Sequence, residues 1–214
     1  PTERSRELNA THELGVDGPV RFLRNVSGMW LLEECRRAWA LEDGAEPPVP
    51  DLLAAAMAAP AMAAVFDVDH PSLAAPGQSA ESLSAHLVGT TPLSRGAVVR
   101  VILESLVARL AERVAQLEEL LGTVRPVLHV VGGASRMAPL MQWLADATGK
   151  QVVAGPVEAT ALGNAAVQWR TLGAVADLAE ARAAIAGMPE IVRYEPIGSR
   201  RSWQDFAARL KESP

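Results

Sequence analysis

Apolar residues recur at spacings of three and four through Val99, Leu103, Leu106, Leu110, Val114, Leu117 and Leu121, and this period predicts one helix over Arg95–Leu121. At 1.5 Å per residue such a helix is about 40 Å long. Its stripe is continuous and carries no group suited to chemistry, so it reads as a core helix. The rhythms on its N-terminal side are shorter. Leu14 and Val16 lead into Asp17-Gly18, and Val20, Phe22 and Leu23 lead out, which predicts a hairpin ending near Arg24. Ser27 is expected to cap a helix reaching about Glu42, with Met29, Trp30, Leu31, Cys35, Ala38 and Leu41 on or near its apolar face. Gly44 and Pro47-Pro48 stop it. Asp51 heads an alanine- and methionine-rich helix that Pro60 interrupts. Val65–Asp69 reads as a short strand, His70-Pro71 opens a loop through Gly77, and Ala80–Val88 reads as a short helix.

Strands and helices alternate only in the second half. Val127–Val131 is a run of mostly branched apolar residues and predicts a buried strand. Gly132-Gly133 end it, and Ser135 is expected to cap the following helix. Gln151–Ala154 reads as a second strand. Ala159, Ala161, Gly163, Ala165 and Ala166 then begin a helix of little bulk that reaches about Leu172, with Glu158 at its positive end. A helix over Asp177–Ala186, an extended stretch over Ile191–Pro196 and a final helix capped by Ser202 complete the pattern. The architecture expected is α/β, a mixed sheet flanked by helices. A strand, a glycine pair and a helix N-terminus together present free N–H groups and a positive dipole end, and the absent Cβ atoms let a ring or a phosphate approach the backbone. That arrangement suits a nucleotide. It is also an ordinary connector in α/β domains, and the local pattern leaves both readings open.

Composition narrows the classes. The 214 residues are enough for one large domain with its own core, and 49% of them are hydrophobic. Mean hydropathy is +0.11. No apolar run has the length of a membrane span, and no signal-peptide layout opens the chain. Cys35 is the single cysteine, which excludes an internal disulfide and fits a reducing, cytoplasmic setting; it reads as a small core residue. A net charge of −5 gives no electrostatic reason to expect nucleic acid or an anionic membrane as partner. Asp67 and Asp69 share one face of their strand, yet no histidine or third carboxylate has matching spacing. His12, His70, His86 and His129 form no ligand pattern, and His129 reads as an interior or sheet-face residue. No histidine and acid are placed to activate Ser135. No metal ligand and no catalytic group is assigned.

The stretch VVGGASRMAPLMQWLADATGKQVVAGPVEATALGNAAVQ, Val130–Gln168, resembles the adenosine-binding segment of the FGGY carbohydrate kinases, members of the actin/hexokinase-like superfamily. Within it AGPVEATALGN, and near the N-terminus GVDGPVRFLRNVSGMWLLEECRR, are similar to the rhamnulokinase branch. The resemblance runs from about Glu3 to Glu195. It implies a ribonuclease H-like layer of mixed sheet. FGGY kinases are two-lobed and more than twice this long, and their catalytic aspartate, much of the sugar pocket and the metal-phosphate loops lie in or around the N-terminal half. By resemblance, residues 1–214 are then a single domain, the C-terminal nucleotide-binding lobe, with the N-terminal lobe absent. The full-length enzyme would transfer the γ-phosphoryl of ATP, with Mg2+ held by the missing lobe, to the 1-hydroxyl of L-rhamnulose. This chain alone is expected to be inactive, and its uncovered interlobe surface to self-associate.

The resemblance also proposes residues. Asn25 stands where rhamnulokinases have an asparagine facing the sugar, which implies a hydrogen bond to the ketose; the local pattern equally allows a turn residue. Glu33, in Trp30-Leu31-Leu32-Glu33, replaces a glutamine that approaches the nucleotide. A carboxylate only accepts, so the contact is to a ribose hydroxyl or is lost; a solvated helix glutamate is the plainer reading. Gly133 carries over as the backbone contact to adenosine, and Gly132 supports the same turn. Met137 stands where relatives have an asparagine, and a thioether cannot replace its amide donor, which implies weaker and less base-selective binding. Arg136 beside it either approaches a phosphate or base or is solvated. Two rival readings stand: an FGGY kinase for another sugar, such as fuculose or xylulose, and a non-catalytic nucleotide-binding or interaction module, favoured by Glu33 and Met137.

Overall fold

A computed structural model describes residues 2–77, 80–92 and 94–212. In chain order the elements are α1 (Glu3–Glu7), β1 (Thr11–Leu14), β2 (Val20–Leu23), α2 (Met29–Asp43), α3 (Val49–Ala58), β3 (Ala64–Val65), α4 (Ala80–Ser84), β4 (Val88–Gly89), α5 (Arg95–Leu121), β5 (Val127–Val130), α6 (Ala138–Thr148), β6 (Gln151–Ala154), α7 (Ala159–Thr171), α8 (Leu178–Ala186), β7 (Val192–Tyr194) and α9 (Arg200–Ala208). The residues group into two compact units, one reaching Val124 and resuming at Arg200, the other Arg125–Ser199. No described helix is long and apolar enough to cross a membrane.

The first unit is built on α5, which runs where its period places it. The Ser94 hydroxyl accepts the Ala97 N–H at 3.2 Å to cap its start, and Gly122 at φ 61° closes it. From Val98 to Arg109 every residue is buried, so this half of the helix has no solvent face. It packs against α2, α3, β3 and α9. The α3 crossing is close: a Cβ on Gly96 would lie 2.7 Å from the Ala55 carbonyl oxygen.

Polar residues wind around α5 and are buried with it. Arg100 Nε donates to Glu104 at 2.8 Å, and its terminal nitrogen donates to the carbonyls of Ala59 at 2.8 Å and of Ala56 and Met57 at 3.2 Å. Glu104 also accepts the Met62 N–H at 2.7 Å, and Ser105 accepts the Phe66 N–H at 3.2 Å. Arg109 pairs with Asp67, and Arg113 with Asp69 at 3.0 Å. These contacts correct the strand expected over Val65–Asp69. It ends at Val65 because the chain turns, the Asp69 N–H donating to Asp67 at 2.8 Å, and both carboxylates face arginines rather than a shared ion.

Two further expectations change in α2. Gly28, not Ser27, holds the N-cap position, without a side-chain cap; the Ser27 N–H donates to Asp69 at 3.1 Å instead. The buried face is Leu31, Leu32, Cys35 and Trp39, whereas Leu41 is 90% exposed. Cys35 is a core residue, and burial first, with Glu34 adding to it, pushes its thiol up to about 12. The hairpin forms as expected, antiparallel with Leu14 opposite Val20, and Asp17 and Gly18 both take positive φ in its loop. The five-residue α1 was not foreseen; reciprocal Thr2 and Ser5 hydrogen bonds at 3.0 and 3.1 Å hold its first turn. Ser202 lies inside α9 rather than at its cap.

The second unit carries a mixed three-stranded sheet, β6 in the centre, parallel to β5 and antiparallel to β7. The expected buried strand is an edge strand, with Val127, Leu128 and Val130 half-buried and His129 exposed. α6 makes the crossover between the parallel strands and ends at Gly149. From α6 the buried Asp146 accepts the N–H groups of Ile197 and Gly198, each at 2.8 Å, and fixes the chain leaving β7. Asp177 caps α8, accepting from Ala179 at 2.8 Å and Glu180 at 2.9 Å.

Glu104 is 1% exposed, and burial pushes its carboxyl above the ordinary range while Arg100 and the Met62 N–H pull it down. Glu104→Ala would leave a buried guanidinium uncompensated and the Met62 N–H unpaired, for an expected loss of about 3–5 kcal/mol in urea unfolding. Glu104→Gln keeps an acceptor and is expected to cost less. A loss under about 1 kcal/mol for the alanine variant would show that the pair is dispensable.

Candidate functional site

Because β5 and β6 run parallel, their carboxyl ends point the same way, and the loops that follow meet there. The Gly155 N–H donates to the Val130 carbonyl at 2.8 Å, and the Gly132 N–H donates to the Pro156 carbonyl at 3.3 Å. The turn after β5 therefore rests against the segment that leads into α7. Crevices outside the carboxyl ends of parallel strands are where open α/β sheets bind ligands.

Backbone conformation explains the glycines. Gly132 has φ 84° and ψ −174°, a region closed to residues with a Cβ, and Gly155 has φ 98°. A Cβ on Gly155 would also lie 3.1 Å from the Glu190 carbonyl oxygen. Around Gly132, Gly133 and Gly163 the reverse holds: an added Cβ would meet nothing within 4 Å. These three face open space, which is what a cradle for a flat ligand requires.

The helix expected right after the glycine pair is delayed. A short 3-10 turn spans Gly133–Arg136, and α6 begins only at Ala138. Ser135 does not cap it; its hydroxyl donates back to the Gly132 carbonyl at 2.7 Å and stiffens the turn. Met137 holds the N-cap position of α6 and is only 9% exposed, so its thioether packs inward. The Gly133 N–H has no acceptor among the described residues. α7 starts without a side-chain cap, and its first N–H groups point out of its N-terminus.

Gly132, Gly133 and Met137 thus fall together in the second unit, while Asn25 and Glu33 belong to the first. Glu33 is neither fully solvated nor free: Arg36 holds its carboxylate at 2.6 Å and also reaches Glu46 at 3.0 Å and the Pro47 carbonyl at 3.1 Å. Asn25 lines a cavity of about 230 Å³ with Asn9, Thr11, Leu23, Arg24 and Asp69. Amide, hydroxyl, guanidinium and carboxylate groups together can exchange hydrogen bonds with a polyol. Burial first, then Arg113, pulls the Arg24 guanidinium below its ordinary range, and Arg24 makes no hydrogen bond or ion pair among the described residues. Asn9 and Thr11 were missed in the sequence, where only their place before the hairpin marks them. Among the described residues no three histidine, cysteine, aspartate or glutamate side chains are grouped to hold a metal ion.

Comparison with known proteins fits this geometry. The C-terminal domain of the FGGY family of carbohydrate kinases matches residues 2–172. A rhamnulokinase of Bacteroides thetaiotaomicron is 36% identical over 212 residues, covering 97% of this chain and 41% of the relative. One from Enterococcus faecalis is 35% identical over 210 residues, covering 94% and 42%. The chain therefore spans about two fifths of the length of the curated relatives it matches. Among solved structures, a ligand-bound xylulose kinase from Lactobacillus acidophilus superposes with a TM-score of 0.70 at 17% identity, covering 96% of this chain and 41% of that one. A Plasmodium falciparum glycerol kinase with ADP gives 0.62 at 18% identity, covering 82% and 35%. These likenesses show the fold, the α/β architecture of the actin/hexokinase-like kinases.

The glycines of the site separate into two kinds with opposite expected effects. Gly155→Ala combines a positive φ with a tight carbonyl contact and is expected to destabilise by about 1–3 kcal/mol. Gly163→Ala sits in α7 in open space and is expected to stabilise by roughly 0.5–1 kcal/mol. Thermal unfolding measures both, and equal effects would refute the distinction.

Proposed function

The chain belongs to the FGGY family of carbohydrate kinases, as its C-terminal domain, and from that membership we propose the nucleotide-binding lobe of a ketose kinase specific for L-rhamnulose. As the full-length protein it phosphorylates that sugar at its 1-hydroxyl with ATP and Mg2+. The observation that carries the choice of sugar is the 36% identity with a rhamnulokinase along 97% of this chain.

In this reading the lobe binds and orients, and the base and the metal ligands come from the other lobe. When bound, ATP supplies the phosphoryl group. The open faces of Gly132, Gly133 and Gly163 admit a flat base, and the Gly133 N–H and the α7 N-terminus supply backbone donors. Such contacts are indifferent to most of the base's edge, so affinity is modest. Met137 contributes packing beneath the turn. In the first unit Glu33 is paired with Arg36, and the family resemblance alone makes its carboxylate a candidate acceptor for a ribose hydroxyl. Asn25 in its polar cavity is the sugar-facing residue of this lobe. A second reading, a nucleotide-binding module without catalysis, is favoured by the engagement of Glu33 with Arg36 and by the burial of Met137.

Expected outcomes separate these readings. The 214-residue chain given ATP, Mg2+ and L-rhamnulose is expected to form no ketose 1-phosphate at the roughly 1–100 per second typical of kinases, while the full-length protein does. Product from the isolated chain, or faster turnover of xylulose or fuculose by the full-length protein, would overturn the assignment.

Calorimetry with ATP and ADP tests the turn. Gly133→Val is expected to abolish binding, and Met137→Asn to tighten it by up to about tenfold through a regained amide. Asparagine at this position is also a good N-cap for α6. A raised melting temperature with unchanged affinity would mean that residue 137 serves only the helix. Unchanged affinity in both variants would remove the nucleotide from this turn.

A further inference from the structure

The second unit holds a larger cavity that the proposed nucleotide turn does not use. It measures about 620 Å³ and lies between α8 and one face of the sheet. Strand register dictates what that face presents. His129 pairs with Val153, and Val153 with Arg193, so these residues form one row across β5, β6 and β7. Side chains alternate along a strand, which puts Val127 and Gln151 on the same face one step further along. Strands are spaced about 4.8 Å apart, so the two ends of the row stand about 10 Å apart with apolar Val153 between them. α8 supplies the opposite wall through Arg182 and Ile185.

Charge then identifies the occupant. No aspartate or glutamate lines the cavity. The side chains of Arg182, Arg193 and His129, all three exposed residues, make no hydrogen bond or ion pair among the described residues. Two permanent cations and an imidazole thus stand over an apolar floor with no carboxylate in the lining itself; at its edge Gln151 donates to the Glu195 carboxylate. Other arginines in the protein do find carboxylates, as Arg36, Arg95, Arg100, Arg109 and Arg113 all do. The volume suits a small molecule and is ample for one aromatic ring bearing an acid group.

We propose that this cavity is a binding site for a small organic anion with a flat apolar body, a carboxylate or a phosphate monoester. The body covers Val153 and Ile185, and the acid group is held by Arg182 and Arg193. Guanidinium groups favour planar, bidentate acids, which is why these two ligand sources share one chemistry. The site is separate from the nucleotide turn, although Gly155 and Pro156 border both.

The test uses the 214-residue chain and the fluorescent probe 8-anilinonaphthalene-1-sulfonate, with benzoate, phenyl phosphate and benzyl alcohol as competitors. One probe is expected to bind per chain, and the Arg182→Gln/Arg193→Gln double variant to weaken it at least tenfold. Arg200→Gln, which removes the same kind of charge from a residue that does not line the cavity, is expected to leave affinity unchanged. Ile185→Trp, at a half-buried position of α8 that lines the cavity, fills the space and is expected to abolish binding, which keeps the test decisive if the double variant folds poorly by circular dichroism. Benzoate and phenyl phosphate displace the probe and benzyl alcohol does not; whichever acid competes more strongly gives the natural acid group. Competition by benzyl alcohol as strong as by benzoate, or equal binding by the double variant and Arg200→Gln, would overturn the proposal. So would displacement by ATP that is lost in Gly133→Val, since the cavity would then belong to the nucleotide turn.

Discussion

The first unit depends on a polar ladder that lets α5 be buried on every side from Val98 to Arg109. A helix packed all round must leave its neighbours' backbone ends without water, and the last carbonyls of α3 are such ends. Arg100 takes three of them, those of Ala56, Met57 and Ala59, placing a cation where the α3 dipole is negative. Glu104 balances that charge and receives the Met62 N–H. Ser105, Arg109 and Arg113 continue along the following segment to Phe66, Asp67 and Asp69. Asp69 then passes the constraint on, since it also accepts the Ser27 N–H and lines the cavity with Asn25. The backbone two residues beyond Asn25 is thus tied, through Asp69, to Arg113 of α5.

In the second unit the equivalent role falls to strand ends and one carboxylate. Parallel pairing of β5 with β6 brings two glycine-containing loops side by side, and hydrogen bonds from Gly132 and Gly155 lock them. Asp146 holds the chain after β7 against α6, helped by the Gln142 amide, which reaches Asp146 at 3.1 Å and the Glu195 carbonyl at 2.8 Å. β7 is an edge strand of only three residues, and without that anchor its pairing would be marginal. A turn that offers backbone N–H groups needs such rigidity, because its donors cannot reorient as a side chain can.

Much of this was legible in the sequence, and the reasons differ by element. The bounds of α5 and β6 follow from long-range periodicity and a compact apolar run, signals that survive any packing. The hairpin followed from Asp17-Gly18, whose demand for positive φ is local. The glycine turn was visible for the same reason. What could not be read was whatever depends on a partner distant in sequence. Ser27 has the right chemistry for a cap, but Asp69 captures its N–H and Gly28 takes the position. The apolar stripe of α5 marks one buried face only, and the burial of Arg100 and Glu104 beside it rests on α3 and the segment that follows it. The resemblance places Met137 beside the nucleotide, and its inward packing could not be read with it because that depends on α6 starting late. The row His129–Val153–Arg193 required strand register, which joins residues far apart in the chain.

Average charge is a poor guide to a local site, and the sheet of the second unit shows why. The whole chain is acidic, but many of its acids pair with arginines of the first unit or cap helices, as Glu33, Asp43, Glu104, Asp67 and Asp69 do in pairs and Asp177 does as a cap. On the β5–β6–β7 face Arg182 and Arg193 stand over an apolar floor with no carboxylate in the cavity lining, and Glu195 reaches only its edge, at Gln151. Field strength there is set by low-dielectric walls rather than by the distant net charge. The wall shared with the glycine turn, Gly155-Pro156, is held by the Val130 carbonyl on one side and crowded by the Glu190 carbonyl on the other. A loop held that way cannot yield to one ligand at the other's expense. The turn and the cavity are therefore expected to bind independently, despite lying on either side of the same two residues.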